Sequence, residues 1–257
     1  MHEKSAFRLW VENFWYHNKW KTIFVLFILS VILICVMQMG TVRNFDAQVL
    51  YAGPHIFTAE EKAVVESAFS QILSTDYNGD GLKNCQLADL TIYSNEQLTE
   101  ILKKVEDPAE LLRYNQYSED ARLQSFTQEI TAGENVICLL DPHWYEIIKE
   151  RNGLVEWSAL FGETPENAID GYGIPLKSTA FGQYFEVFDT LPDDTILCLR
   201  ILSASMMFSQ NKEAQVRHEQ HQKIMKDLYS FSLPDGFVPR TEAVSESAPA
   251  GKKSEIE

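Results

Sequence analysis

The sequence predicts an α/β domain with a mostly parallel sheet, carried behind one N-terminal transmembrane helix. Three observations predict it. Residues 22–42 carry no charge, and Ile23 to Met39 within them is nearly all apolar. From residue 46 to residue 231, short apolar runs alternate with amphipathic segments. Two of the runs, NVICLLD (135–141) and TILCLRIL (195–202), have continuously apolar centres, VICLL and ILCL, as strands covered on both faces must have.

The N-terminal elements come first. At 1.5 Å per residue, residues 22–42 are long enough to cross a hydrocarbon core about 30 Å thick. The residues ahead of them, 1–21, hold Lys4, Arg8, Lys19 and Lys21 against Glu3 and Glu12, whereas only Arg43 follows closely. Basic flanks stay in the cytoplasm, so residues 1–21 are expected inside, at the inner interface, and the bulk of the chain outside. Trp10, Phe14, Trp15, Tyr16 and Trp20 cluster before the span, where amphipathic rings favour the headgroup layer. No small-x-small cleavage site follows, and Ile34 stands where a lipoprotein signal would place a small residue before Cys35. The expectation is an uncleaved anchor, with the lipid bilayer as partner through 22–42.

Residues 44–234 form one domain-sized segment, and 235–257 lose the apolar pattern and read as a disordered tail. The chain sums to −15, and residues 1–21 contribute +2, so the remainder is near −17. Such a surface repels nucleic acid and anionic headgroups. Within the domain, DAQVLYAG (46–53) reads as a strand. TAEEKAVVESAFSQIL (58–73) reads as a helix capped by Thr58, with Glu60 and Glu61 in its first turn. QLADLTIY (86–93) is a second strand, followed by the helix NEQLTEILKKV and a further helix in the second half of 109–133. The strand 135–141 leads into the helix PHWYEIIKER (142–151); the strand 195–202 precedes a charge-rich last helix. Alternation of this kind argues a mostly parallel sheet. Cys85, Cys138 and Cys198 sit in or beside strand-like runs, without C-x-x-C spacing, and are expected as free thiols.

Three stretches are candidates for chemistry. TDYNGDGLKNC places Asp76, Asn78, Asp80, the Leu82 carbonyl and Asn84 at alternate positions, with Gly81 at the sharp turn. That is the ligand order of a calcium loop through its ninth position. Position 12, where a bidentate acid belongs, is Leu87; Lys83 occupies an ordinarily apolar position, and Asp89 falls two residues late. Two readings stand: a calcium site completed by a distant carboxylate, or a polar turn between helix and strand. Asp141, with Trp144 and Tyr145 on the following helix, falls at the end of a buried strand, where open α/β sheets bind ligands. These three are the candidate cleft residues; the alternative for Asp141 is a helix N-cap with Pro142 at N1. His218, Glu219 and His221 spell H-E-Q-H, one residue short of the zinc motif H-E-x-x-H, amid charged neighbours that suggest a solvated helix face. No G-x-S-x-G, S-x-x-K or glycine-rich phosphate loop is present.

FTQEITAGENVICLLDPHWYEIIKERNGLVEWSALF resembles extracellular solute-binding proteins of the type-2 periplasmic-binding fold. The likeness rests on Ala132-Gly133-Glu134, a strand finishing in Asp141, and Gly153-Leu154 followed by Trp157 and Leu160. VLYAG and the later YGIPL (172–176) resemble further elements of the family. The N-terminal aromatic cluster is similar to membrane-anchored proteins of clostridial type. The resemblance implies a periplasmic-binding-like domain. About 190 residues are lean for two lobes, so one main lobe is expected. The function so implied is a non-catalytic extracytoplasmic binding or accessory module beside a membrane or envelope protein partner. The competing readings are a calcium-dependent structural surface domain and an extracytoplasmic hydrolase without a recognisable motif.

Overall fold

The computed structural model of the protein describes residues 6–39, 45–104, 119–132, 136–202 and 212–237. The Gly133–Glu134 turn, the first half of the segment 109–133 and the tail from residue 238 onward lie outside the described residues. The chain divides into two units, Met1–Asn44 and Phe45–Glu257. In the first, α1 runs from Ala6 to Met39. Its stretch Phe14–Cys35 is long and apolar enough to cross a membrane, about 33 Å at the helical rise. Its apolar side chains are uncovered on all sides of the helix, and Trp10, Phe14, Trp15, Tyr16 and Trp20 form an aromatic collar at one end.

The second unit is built on five strands: β1 Ala47–Gly53, β2 Cys85–Thr91, β3 Ile137–Leu140, β4 Gly173–Pro175 and β5 Ile196–Leu199. Their order across the sheet is β2-β1-β3-β5-β4. β1 pairs in parallel with β2 and β3, whereas β5 pairs antiparallel with both β3 and β4. The sheet is therefore mixed, which corrects the expectation of a mostly parallel one. The reason is that β5 is buried on both faces whichever way it runs, so its sequence carries no directional signal. β4 is a fifth strand, only three residues long and ending in Pro175, a residue suited to an edge. Gly173 is required there: a Cβ would lie 2.7 Å from Ile196 Cγ2 and from the Tyr145 hydroxyl.

Helices cover both faces. On one face α2 (Ala59–Ile72), α6 (Trp157–Phe161), α7 (Ala180–Tyr184) and α8 (Lys212–Tyr229) pack Phe69, Trp157, Phe181 and Ile224 against Val49, Tyr51, Leu139 and Leu197. On the other, α4 (Glu119–Ala132) and α5 (Pro142–Glu150) pack Phe126, Trp144, Tyr145 and Ile148 against Leu50, Ala52, Cys138 and Cys198. α3 (Asn95–Lys104) lies between β2 and α4 in the chain. α2 begins as the sequence predicts: Thr58 accepts from Glu61 N while the Glu61 carboxylate accepts from Thr58 N, a reciprocal capping box.

α2 also engages β2 along a row of side chains. Lys62 pairs with the Asp89 carboxylate, Glu66 Oε1 accepts from Leu87 N at 3.0 Å, and Ser70 Oγ accepts from Cys85 N at 3.0 Å. Steps of four along a helix rise about 6 Å and steps of two along a strand about 6.6 Å, so the two spacings nearly match over these contacts.

A candidate ligand rim at the carboxyl ends of β1 and β3

From β1 the chain crosses to β2 on one side, then returns to β3 on the other. The order reverses between β1 and β3, and the crevice outside their carboxyl ends is where open α/β sheets place ligands. Three described segments meet there. The end of β1 supplies Tyr51, Gly53 and His55. The segment after β2 supplies Ser94 and Gln97, and the end of β3 supplies Asp141.

Asp141 is fixed from several directions. Its N–H donates to Ala52 O at 2.9 Å, extending the β1–β3 ladder by one residue. Its Oδ1 accepts from His143 N at 3.0 Å, so it caps α5 with Pro142 at N1. Its Oδ2 accepts from Gln97 Nε2 at 2.6 Å. Burial pushes the carboxyl above its ordinary range; the Gln97 and His143 hydrogen bonds oppose this, and the negative charge of Asp194 adds to it.

Gln97 joins two helix starts. Its Oε1 accepts from Ser94 N at 2.9 Å, Ser94 Oγ accepts from Gln97 N at 3.2 Å, and its amide reaches Asp141. The N-termini of α3 and α5 thus converge on one carboxylate, which their dipoles favour. Tyr51 is buried beneath the rim, and its hydroxyl accepts from His55 N at 3.0 Å. Gly53 makes room for that ring, since a Cβ would lie 2.7 Å from the Tyr51 hydroxyl. Burial raises the phenol well above its ordinary range, opposed by the His55 N–H and helped by the negative charges of Asp141 and Asp194 nearby. Tyr51 therefore keeps its proton.

Trp144 and Tyr145 do not line this rim. Both lie on the buried face of α5, at 2% and 1% exposure. Trp144 packs on Phe126 with ring centroids 4.9 Å apart. The Tyr145 hydroxyl donates to Asp170 Oδ1 at 2.6 Å, toward β4, and burial, together with that acceptor, raises the phenol. The pair packs into the core behind the rim, and of the three expected cleft residues Asp141, itself 4% exposed, is the one held at the carboxyl end of β3.

No match to this chain is found among known protein families, curated proteins or solved structures.

The other two candidate stretches are also placed. Asp76 Oδ1 and Oδ2 accept from Gly79 N and Gly81 N, at 2.7 and 2.8 Å. Asn78 Oδ1 accepts from Asp80 N, and Asp80 Oδ1 from Leu82 N, both at 2.8 Å. Gly79 and Gly81 take the positive φ values of 75° and 85° that the turn requires. Asp46, a residue the sequence did not single out, grips the loop from just ahead of β1: its carboxylate accepts from Tyr77 N, Asn78 N and Asn84 N at 2.6, 2.9 and 2.9 Å. Lys83 donates to the carbonyls of Leu73 and Ser74, closing the end of α2. Leu87, at the position of the chelating acid, is 1% exposed in the core. Among the described residues no cluster of three or more His, Cys, Asp or Glu side chains is arranged for a metal. The loop offers the carboxylates of Asp76 and Asp80, the amide oxygens of Asn78 and Asn84 and the Leu82 carbonyl, and all four of these side chains accept backbone N–H groups.

His218 and His221 are not a solvated pair. His221 is 1% exposed and faces the core beside Ile224 and Met225. Its Nε2 accepts from Gln48 N at 3.2 Å, and its Nδ1 donates to Arg217 O at 2.7 Å. The β1–β3 ladder begins one residue later, at Val49–Ile137, so the imidazole serves a strand amide before the ladder starts. Both ring nitrogens are thereby used.

Two open depressions lie elsewhere. One of about 450 Å³ is lined by Leu123, Thr127 and Arg151; one of about 620 Å³ by Glu163, Asn167, Thr179 and Tyr229. Neither includes a rim residue.

Proposed function

We propose that this protein is a membrane-anchored, extracytoplasmic binding or accessory module, built on a periplasmic-binding-like lobe and non-catalytic. α1 is the anchor, with the basic N-terminus in the cytoplasm. The sheet domain stands outside, beside a membrane or envelope protein partner.

The observation that carries the reading is the rim at the reversal between β1 and β3. A buried carboxylate and a buried, protonated phenol stand there beneath two helix starts. Asp141 retains lone pairs to accept from a ligand, and Tyr51 retains a proton to give. A small polar solute bearing both a donor and an acceptor fits that pairing. Affinity of this kind comes from placing a few polar groups against a preformed apolar base. The sequence resemblance to solute-binding proteins falls on these same segments.

The test is thermal unfolding of the full chain in mild detergent against a panel of small polar solutes, with affinity purification from native membranes run in parallel. A solute that raises Tm in the wild type but not in Tyr51→Phe supports the reading, because binding to the native state alone stabilises by mass action. The absence of both a stabilising solute and a stoichiometric membrane partner overturns it.

A further inference from the structure

We propose that Cys138 and Cys198 are a dithiol–disulfide couple: they close into a strained cross-strand bond that is made and broken reversibly. The register carries the inference. Cys138 and Cys198 are direct partners across the antiparallel β3–β5 ladder, so both side chains leave the same face of the sheet. Both residues are fully buried on the face covered by α4 and α5, where the Cys138 thiol donates to Val136 O at 3.8 Å. The other cysteines are not competitors. Cys85 belongs to the opposite face of the sheet, and Cys35 to the other unit of the chain.

The ladder also fixes which kind of pair this is. Arg200 N donates to Val136 O at 2.9 Å, so the pair 136–200 is a hydrogen-bonded one. Two residues along, 138–198 has the same parity. Hydrogen-bonded pairs have Cα atoms about 5.5 Å apart, within the range of about 4.4–6.8 Å that disulfides span. Their Cβ atoms stand about 5.5 Å apart, whereas a disulfide holds them at about 3.5–4.5 Å. Closing the bond therefore draws the strands together by about 1 Å and strains it. Strain makes a disulfide easier to reduce, which separates a switchable bond from a permanent one.

The chemistry is an exchange with a small disulfide. One cysteine, as thiolate, attacks the disulfide of oxidised glutathione and displaces one glutathione thiolate. The second, on losing its proton, attacks the cysteine sulfur of the mixed disulfide and displaces the other glutathione. Two protein thiols become one disulfide, and one small disulfide becomes two thiols. Burial holds the Cys198 thiol well above its ordinary range, so exchange proceeds through openings that part β3 from β5. The inference rests on strand register and is independent of which side of the membrane the domain occupies.

The test uses the full chain in detergent, equilibrated across graded ratios of reduced to oxidised glutathione in sub-denaturing urea. The reaction is quenched with acid, free thiols are alkylated, and the products are mapped by peptide mass. The expected result is two protected thiols at oxidising ratios, joined as Cys138–Cys198. They are released again within the glutathione range, and the link is absent from Cys138→Ala and Cys198→Ala. Four alkylated thiols at every ratio overturn the proposal. So does a link through Cys35 or Cys85, a glutathione adduct without the cross-link, or a bond that survives the most reducing ratio.

Discussion

His221 gives the sharpest quantitative expectation. Burial depresses its pKa from the ordinary 6.5 to about 4, opposed by the hydrogen bond to Arg217 O and reinforced by His218 and Arg217. The folded protein thus holds a neutral imidazole that the unfolded chain protonates below pH 6.5. The group's contribution to stability is complete above that pH, is lost as pH falls toward 4, and is flat below. The shift corresponds to about 3 kcal/mol in all and about 2 kcal/mol by pH 5. Protonation also removes the lone pair that Gln48 N–H needs. The assay is urea unfolding of the full chain at intervals from pH 7.5 to 4, with His221→Gln beside the wild type. Glutamine can accept from Gln48 and donate to Arg217 without titrating, so subtraction removes the carboxylates common to both. The wild type should lose stability faster, by up to about 1.4 kcal/mol per pH unit in that window. Equal slopes in the two proteins refute the assignment. His218, depressed by burial and by Arg200, adds a contribution of the same sign.

Asp46→Ala should cost about 2–4 kcal/mol in chemical denaturation, because three backbone N–H groups lose one carboxylate; a loss under about 0.5 kcal/mol contradicts the clamp. The self-satisfied loop 76–84 leads to an unchanged Tm on replacing EDTA with calcium; a rise of several degrees with calcium but not magnesium, absent in Asp80→Ala, establishes a metal site instead. Gly173→Ala should destabilise by about 1–3 kcal/mol, since its methyl group must displace Ile196 and the Tyr145 hydroxyl. Hydrogen exchange should then rise in β4 and β5; an unchanged exchange pattern counts against the close packing. Tyr51→Phe should cost about 1 kcal/mol, read by the urea midpoint, because His55 N–H loses its acceptor.

Local grammar was legible in the sequence and long-range pairing was not. Thr58 with Glu61, and Asp141 with Pro142, declare helix starts within four residues, and both occur as read. The direction of β5 could not be read, because a strand buried on both faces is apolar throughout in either sense. β4 is too short to carry a periodic pattern. Asp46 was missed because its partners lie 31 to 38 residues away. The charged chain neighbours of His221 suggest a solvated face, whereas its side chain packs with Ile224, Met225 and β1. The rim was half legible: Asp141 stood out as the residue ending a buried strand, whereas Gln97 and Tyr51 reach it only through the fold. Trp144 and Tyr145 were misplaced because sequence adjacency says nothing of helical facing.

The row of Lys62, Glu66 and Ser70 against β2 has a consequence for behaviour in crowded surroundings. β2 is an outermost strand, and the amides of Cys85 and Leu87 are taken up by side chains of α2 rather than by another strand. A bare flank of that kind recruits strands from other molecules and seeds aggregates. Here a stranger's strand would have to displace a carboxylate and a hydroxyl from those amides before it could add on. The opposite flank ends in the three-residue β4 and its proline, which offers little to copy. Replacing Glu66 and Ser70 with alanine would unpair the Leu87 and Cys85 amides and open one flank, so the cost should fall on solubility at high concentration as well as on the unfolding midpoint.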